Sequence, residues 1–174
     1  MAADFADQYY TEAGRLESFQ RAQPLPKRRG SNTTGRAPKS MKWPHSWLAP
    51  EEVRHHSSPH DILLTRRQLA EAGFFYHPTQ ESPDNVMCFL CRESICGWED
   101  GDNPFAEHLK LSPDCGWAIT SCIEAKIGDL HLENPMSTRM VEARKATFGD
   151  RWPHEGKKGW KCQTKQVCLK YEGY

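Results

Sequence analysis

At 174 residues the chain has room for one domain of ordinary size with appendages, or for two small ones. Its 23 basic and 23 acidic side chains cancel, so no global charge demands a nucleic acid or a membrane surface as partner. A mean hydropathy of -0.78 argues against a single large core, and a domain with little core needs a staple, of which a metal is one of the usual kinds.

In chain order, residues 5–19 read as a short amphipathic helix with Phe5, Tyr9, Leu16 and Phe19 as its buried positions. Residues 20–42 then carry Arg21, Lys27, Arg28, Arg29, Arg36, Lys39 and Lys42 with no acidic residue, among scattered Pro, Gly, Ser and Thr. Such a run cannot offset its ordering entropy by burial, so a mobile basic loop is expected. After Trp43-Pro44-His45, Thr65 is a good cap for a helix over 66–72, and Gly73 a natural stop. Gly73 to Pro78 reads as a strand ended by proline, and Val86-Met87-Cys88-Phe89 as a second strand beyond the turn at Pro83-Asp84-Asn85. Asn103-Pro104 starts a further helix, Ser112-Pro113-Asp114 breaks it, and Cys115 opens a last one to Thr120. Arg15-x-x-Ser18-Phe19 with Trp43-Pro44-His45 recurs as Arg144-x-x-Thr147-Phe148 with Trp152-Pro153-His154, the start of an internal repeat.

The chemistry-bearing pattern is C-x2-C-x16-H-x6-C, formed by Cys88, Cys91, His108 and Cys115. Thiolates and imidazole are the ligands Zn²⁺ prefers, and four of them fill its tetrahedral shell, leaving no place for water or substrate. The pattern therefore points to one structural zinc in a binding module and not to an enzyme. No cysteine–histidine–carboxylate set is readable, and the spacing misses that of a DNA-binding finger in both gap and last ligand. The seven cysteines are an odd number, and the opening residues hold neither a charged leader nor an apolar stretch. Reduced thiols in cytosol or nucleus are expected, with no membrane, no small-molecule substrate and no direct nucleic acid as partner.

With these residues assembled, the chain resembles a baculoviral inhibitor-of-apoptosis repeat, or BIR domain. The likeness runs through Arg15-x-x-Ser18-Phe19, Trp43-Pro44, Leu69-Ala70-x-Ala72-Gly73-Phe74-x-Tyr76 and Asp84-Asn85-Val86-x-Cys88-Phe89-x-Cys91. It continues through Gly97-Trp98-Glu99, Asp102-Asn103-Pro104, Glu107-His108 and Cys115, and the basic insertion with a second repeat start is similar to the two-BIR, survivin-related proteins of fungi. The resemblance implies a small zinc-stabilised α+β fold, a three-stranded antiparallel sheet surrounded by short helices, over residues 5–121 with a disordered basic insertion at 20–42. Residues 122–135 would be a linker, and 136–174 an incomplete start of a second repeat, with one helix around 139–148 and an aberrant loose tail.

The family also implies a groove for free protein N-termini, possibly histone tails, with Asp102 as the ammonium partner, Trp98 as the wall, and Leu111 and Ile95 at its border. It implies a survivin-like role in chromosome segregation with chromosomal passenger complex subunits, in nucleus and cytoplasm, on chromosomes and spindle in mitosis. The alternative implied role is inhibition of caspases or capture of their N-terminal-motif antagonists. Three departures bear on the ligand: Glu93 and Leu111 stand where phosphate-reading relatives carry a basic residue and a histidine, and Cys96 replaces an acidic pocket residue. An anionic Glu93 repels phosphate, so an unmodified Ala-first tail is the expected ligand.

Overall fold

The computed structural model describes residues 7–26, 40–45, 64–148 and 158, and the chain falls into two compact units, residues 1–104 and 105–174. Among the described residues, no helix is long and apolar enough to cross a membrane.

The first unit begins with a 3-10 turn, Gln8–Tyr10, and helix α1, Glu12–Gln20. A single helix over 5–19 is thus corrected to a turn and a helix, and the reason is local. The Thr11 side-chain oxygen caps α1 by accepting from the Gly14 amide at 3.1 Å and donates to the Gln8 carbonyl at 3.1 Å. The fold-back needs Gly14, since a Cβ there would lie 1.9 Å from the Gln8 oxygen. Tyr9 and Phe19 are buried and Leu16 is half-buried, while Phe5 lies outside the described residues.

Strands β1, Gln23–Pro24, and β2, Ser40–Met41, pair antiparallel with Gln23 opposite Met41. The expected mobile run over 20–42 is corrected at both ends: Gln20 closes α1, the ladder orders the residues on either side, and the Gln23 side-chain amide donates to the Ser18 carbonyl at 2.8 Å. The rest of that run, 27–39, lies outside the described residues.

Helix α2, Arg66–Glu71, starts at Thr65 with a full capping box, Thr65 Oγ1 accepting from the Gln68 amide while Gln68 Oε1 accepts from the Thr65 amide, each at 3.1 Å. Gly73, at φ 98°, turns the chain out of it. Three strands follow, β3 (Phe74–Tyr76), β4 (Val86–Cys88) and β5 (Ser94–Ile95), in one antiparallel sheet of that order, with Phe74 opposite Cys88 and Val86 between Tyr76 and Ile95.

The Arg-x-x-Ser-Phe triplet of α1 locks this unit together. Arg15, 1% exposed, donates from Nε to the Ala70 carbonyl at 2.7 Å and from a terminal nitrogen to the Tyr9 carbonyl at 2.9 Å. Ser18 accepts from the Tyr76 amide at 2.8 Å, and Phe19 meets Trp43 edge-on with ring centroids 5.1 Å apart. Tyr9 stacks on Phe75 at 3.9 Å, and the Tyr76 hydroxyl lies between the Lys42 and Pro83 carbonyls at 2.9 and 2.8 Å.

In the second unit, helix α3 (Pro104–Leu111) is followed by α4 (Gly116–Glu124), a 3-10 turn (Leu130–Leu132) and α5 (Thr138–Ala146). The expected end of α4 at Thr120 and the expected linker from 122 are corrected: Cys122 and Ile123 continue the apolar spacing of Ile119, and the helix runs on with them. Cys122 is fully buried with its thiol 3.3 Å from the Phe105 carbonyl, and burial pushes that thiol up to about 11. Helix α5 lies in the range where a repeat start was expected and packs on α4 through Ile119, Met140 and Ala143, with Leu109, Ile123 and Leu130 around them. Thr147 donates to the Arg144 carbonyl at 2.7 Å, as Ser18 does to that of Arg15. Trp152, His154, Cys162 and Cys168 lie outside the described residues.

Gly116 sets how closely α5 approaches. A Cβ there would sit 2.3 Å from the Ala143 carbonyl oxygen, a backbone atom that cannot swing aside. Replacing glycine by alanine inside a helix ordinarily gains about 1 kcal/mol. Here Gly116→Ala is expected to lose a net of up to about 2 kcal/mol, the cost of overpacking less that gain, read from urea denaturation. A stabilised variant would show that α5 does not rest against Gly116.

Candidate metal centre

The ligand set is built from strand end, knuckle and helix starts. Cys88 closes β4, and the turn beyond it brings Cys91 round, with the Arg92 amide donating to the Cys88 carbonyl at 3.2 Å and Arg92 itself at φ 66° in the left-handed region. Inside this knuckle the Leu90 amide points at the Cys88 sulfur, 3.3 Å away, a polarised hydrogen that favours a thiolate there. His108 lies one turn into α3 and is fully buried. The Ser112 amide donates to the His108 carbonyl at 2.9 Å and the Cys115 amide to the Ser112 carbonyl at 3.0 Å, which fixes the gap between the last two ligands. Cys115 stands at the N-cap of α4 with no side-chain capping bond, so its sulfur is not spent on the helix.

The four donor atoms lie within 4.8 Å of one another. Tetrahedral zinc with Zn–S near 2.3 Å places its ligand atoms about 3.8 Å apart, so this set closes on one ion with small side-chain movements. All four positions are protein donors, and Cys88, Cys91 and Cys115 are unbridged thiols. The cluster is suited to one structural zinc ion, as the spacing predicts, with Cys91 exposed and the other three ligands buried. Cys96, exposed at the end of β5, is outside the set.

The residues expected to form the groove are placed as follows. Ile95 is half-buried on β5. Trp98 is 4% exposed, packs edge-on against Phe74 with centroids 6.0 Å apart, and its indole nitrogen meets no hydrogen-bond partner among the described residues. Asp102 closes its own turn, one carboxylate oxygen accepting from the Glu99 amide at 2.8 Å. Leu111 ends α3 and is 50% exposed.

One anchoring carboxylate, Asp84, is not singled out by the sequence. A single oxygen of Asp84 accepts from the Gly97 and Trp98 amides, each at 2.9 Å, and lies 3.2 Å from His45 Nε2. Burial pushes this carboxyl up, but the two amides and the His45 ring outweigh it and hold it below the usual carboxylate value. Asp84 thus fastens the backbone of Trp98 to the turn before β4. Its only sequence signal is its place in the Asp84-Asn85-Val86 run, which marks a turn and not an anchor.

Comparison with known proteins agrees with this geometry. The family described as BIR, Inhibitor of Apoptosis domain, matches residues 15–119. The chain is 31% identical over 128 residues to the chromosomal passenger complex protein bir1 of Schizosaccharomyces pombe, covering 70% of this chain and 11% of that protein. It is 46% identical over 57 residues to baculoviral IAP repeat-containing protein 5 of Mus musculus, covering 33% of this chain and 41% of that one. Against protein 5.2-A of the same name in Xenopus laevis the identity is 47% over 55 residues, 32% of this chain and 35% of that one. The chain therefore spans between 11% and 41% of the length of these relatives.

Proposed function

The chain belongs to the BIR, or Inhibitor of Apoptosis domain, family, and from that premise we propose that it is a non-enzymatic zinc-holding adaptor that recognises free protein N-termini in chromosome segregation. The observation that carries the cellular role is the likeness to a chromosomal passenger complex protein along 70% of the chain. Its partners on this reading are subunits of that complex and an N-terminal tail such as that of a histone, met on chromosomes and spindle in mitosis and otherwise in nucleus and cytoplasm. The non-enzymatic part is supported by a donor set that fills a tetrahedral shell with protein atoms and keeps no site for a reacting water.

Recognition of an N-terminus needs an anion for the α-ammonium and a surface that admits only a small first side chain. Asp102 supplies the anion: one oxygen is engaged by the Glu99 amide, and a carboxylate has further lone pairs to offer. By the family's pattern Trp98, 4% exposed, is the wall, and Ile95 and Leu111 are the border positions. Exposed Glu93 disfavours a phosphate on the incoming tail.

Titration calorimetry with an Ala-initiated histone-tail peptide tests this. The unmodified peptide is expected to bind at least as tightly as its phosphorylated form. Asp102→Asn, which keeps an acceptor for the Glu99 amide but removes the charge, is expected to weaken binding by about 10- to 100-fold, the worth of one hydrogen bond to a charged group. Equal affinity in that variant removes the proposed anchor, and a clear preference for the phosphopeptide refutes the role given to Glu93.

A further inference from the structure

Arg15 is an unusual thing to find in a small core. Its guanidinium is 1% exposed among aromatic rings, held by the Ala70 and Tyr9 carbonyls and lying 4.7 Å from the centroid of Phe89. Phe89 directly follows the ligand Cys88, whose sulfur already faces the Leu90 amide. Burying a cation is costly unless negative charge lies nearby. Three thiolates around a divalent ion leave one net negative charge, and burying that is costly for the same reason. Arg15 on α1 and Cys88 at the end of β4 belong to one unit, with Phe89 next to Cys88 lying against the guanidinium.

We infer that Arg15 is the electrostatic complement of the metal centre: its guanidinium offsets the net negative charge of the zinc–thiolate cluster beside Cys88 and so sets how tightly zinc is held. The inference rests on the zinc reading of that cluster. Support comes from the charge balance at Arg15, where burial lowers its pKa to about 10 while Glu12 and the Cys88 thiolate pull it back up. It is a positioning role, exercised through Cys88 without contact to the ion. Two carbonyls and a ring face fix the cation in place, so little reorganisation is needed when metal arrives. Arg144, which the sequence pattern matches to Arg15, is also buried and bonded to a carbonyl, that of Pro135, and like α1 its helix supplies no ligand to the cluster. It serves as a built-in control for an arginine that merely supports the fold.

The test is competition of Zn²⁺ against a chromophoric chelator on the full chain, with far-UV circular dichroism at saturating zinc to check folding. Arg15→Gln keeps a donor for the Ala70 carbonyl without the charge and is expected to weaken zinc binding by about 10- to 100-fold, the range for residues that support metal ligands. Arg15→Lys keeps the charge and is expected to lose less than about tenfold, while Arg144→Gln keeps the affinity of the unaltered chain. A loss below tenfold in R15Q, a lysine variant as weak as R15Q, or an equal loss in R144Q would each overturn the inference. Should R15Q not fold at saturating zinc, R15K decides: a loss under tenfold upholds the charge argument and a larger one refutes it. An unaltered chain that takes up no zinc would instead refute the zinc reading itself.

Discussion

Removing zinc with a strong chelator is expected to unfold the β3–β5 sheet and the helices that carry His108 and Cys115. A structural Zn²⁺ held by thiolates contributes on the order of 10 kcal/mol of apparent folding energy at neutral pH. Domains of this size are stable by about 5–15 kcal/mol in total, so little remains once the ion is gone. The sheet cannot make up the loss: its strands are two or three residues long, and β5 pairs along one edge only. Cys115→Ser or His108→Ala should behave like the chelated chain, because three ligands close the knuckle poorly. Calorimetry in the presence and absence of chelator checks this. A metal-free chain that still melts cooperatively, at an unchanged midpoint, would mean that packing alone maintains the domain.

Asp84→Ala is expected to cost about 3 kcal/mol, measured by urea denaturation at neutral pH with zinc present. The carboxylate accepts from two backbone amides and stands beside the His45 ring. Each hydrogen bond to a charged group contributes roughly 1.5–3 kcal/mol, though three sharing one oxygen do not add fully. The variant also leaves the Gly97 and Trp98 amides facing a hole. The pH dependence has a definite sign. A carboxyl whose folded pKa lies below its ordinary value of 3.8 contributes its stability above that value and loses it as pH falls through the folded pKa. The gap between the unaltered chain and Asp84→Ala should therefore be full at neutral pH and shrink in acid below the ordinary carboxylate value. A gap that stays constant into that acid range would show that Asp84 acts through packing and not through its charge.

What the sequence made legible was whatever depends on local spacing. Thr65-x-x-Gln68 announces a capping box because both bonds close within one turn. The metal ligands are legible for a related reason: only a few residue types bind zinc well, and their separations are set by one knuckle and one helix turn. Arg15 was legible only as part of a signature, since a lone arginine in an amphipathic helix ordinarily faces water. Its true partner, the Ala70 carbonyl, lies 55 residues away. Asp84 hid in the same way, reading as a turn former while its bonds reach Gly97 and Trp98 across the sheet. The burial of Trp98 was not legible, because it depends on Phe74, which no local pattern couples to it. The end of α4 departs from its expected place for a different reason. Ile119, Cys122 and Ile123 carry the helical period past Thr120, and no capping residue there marks a stop.

The docking of α5 on α4 has a practical consequence for where this protein can be cut. A fragment ending at 121 cuts α4 short of its last turn, removes Cys122 together with its bond to the Phe105 carbonyl, and uncovers Ile119 where Met140 and Ala143 had shielded it. Such a fragment carries all four zinc ligands and a fresh greasy scar, and it should clump in solution where one reaching 148 stays dispersed.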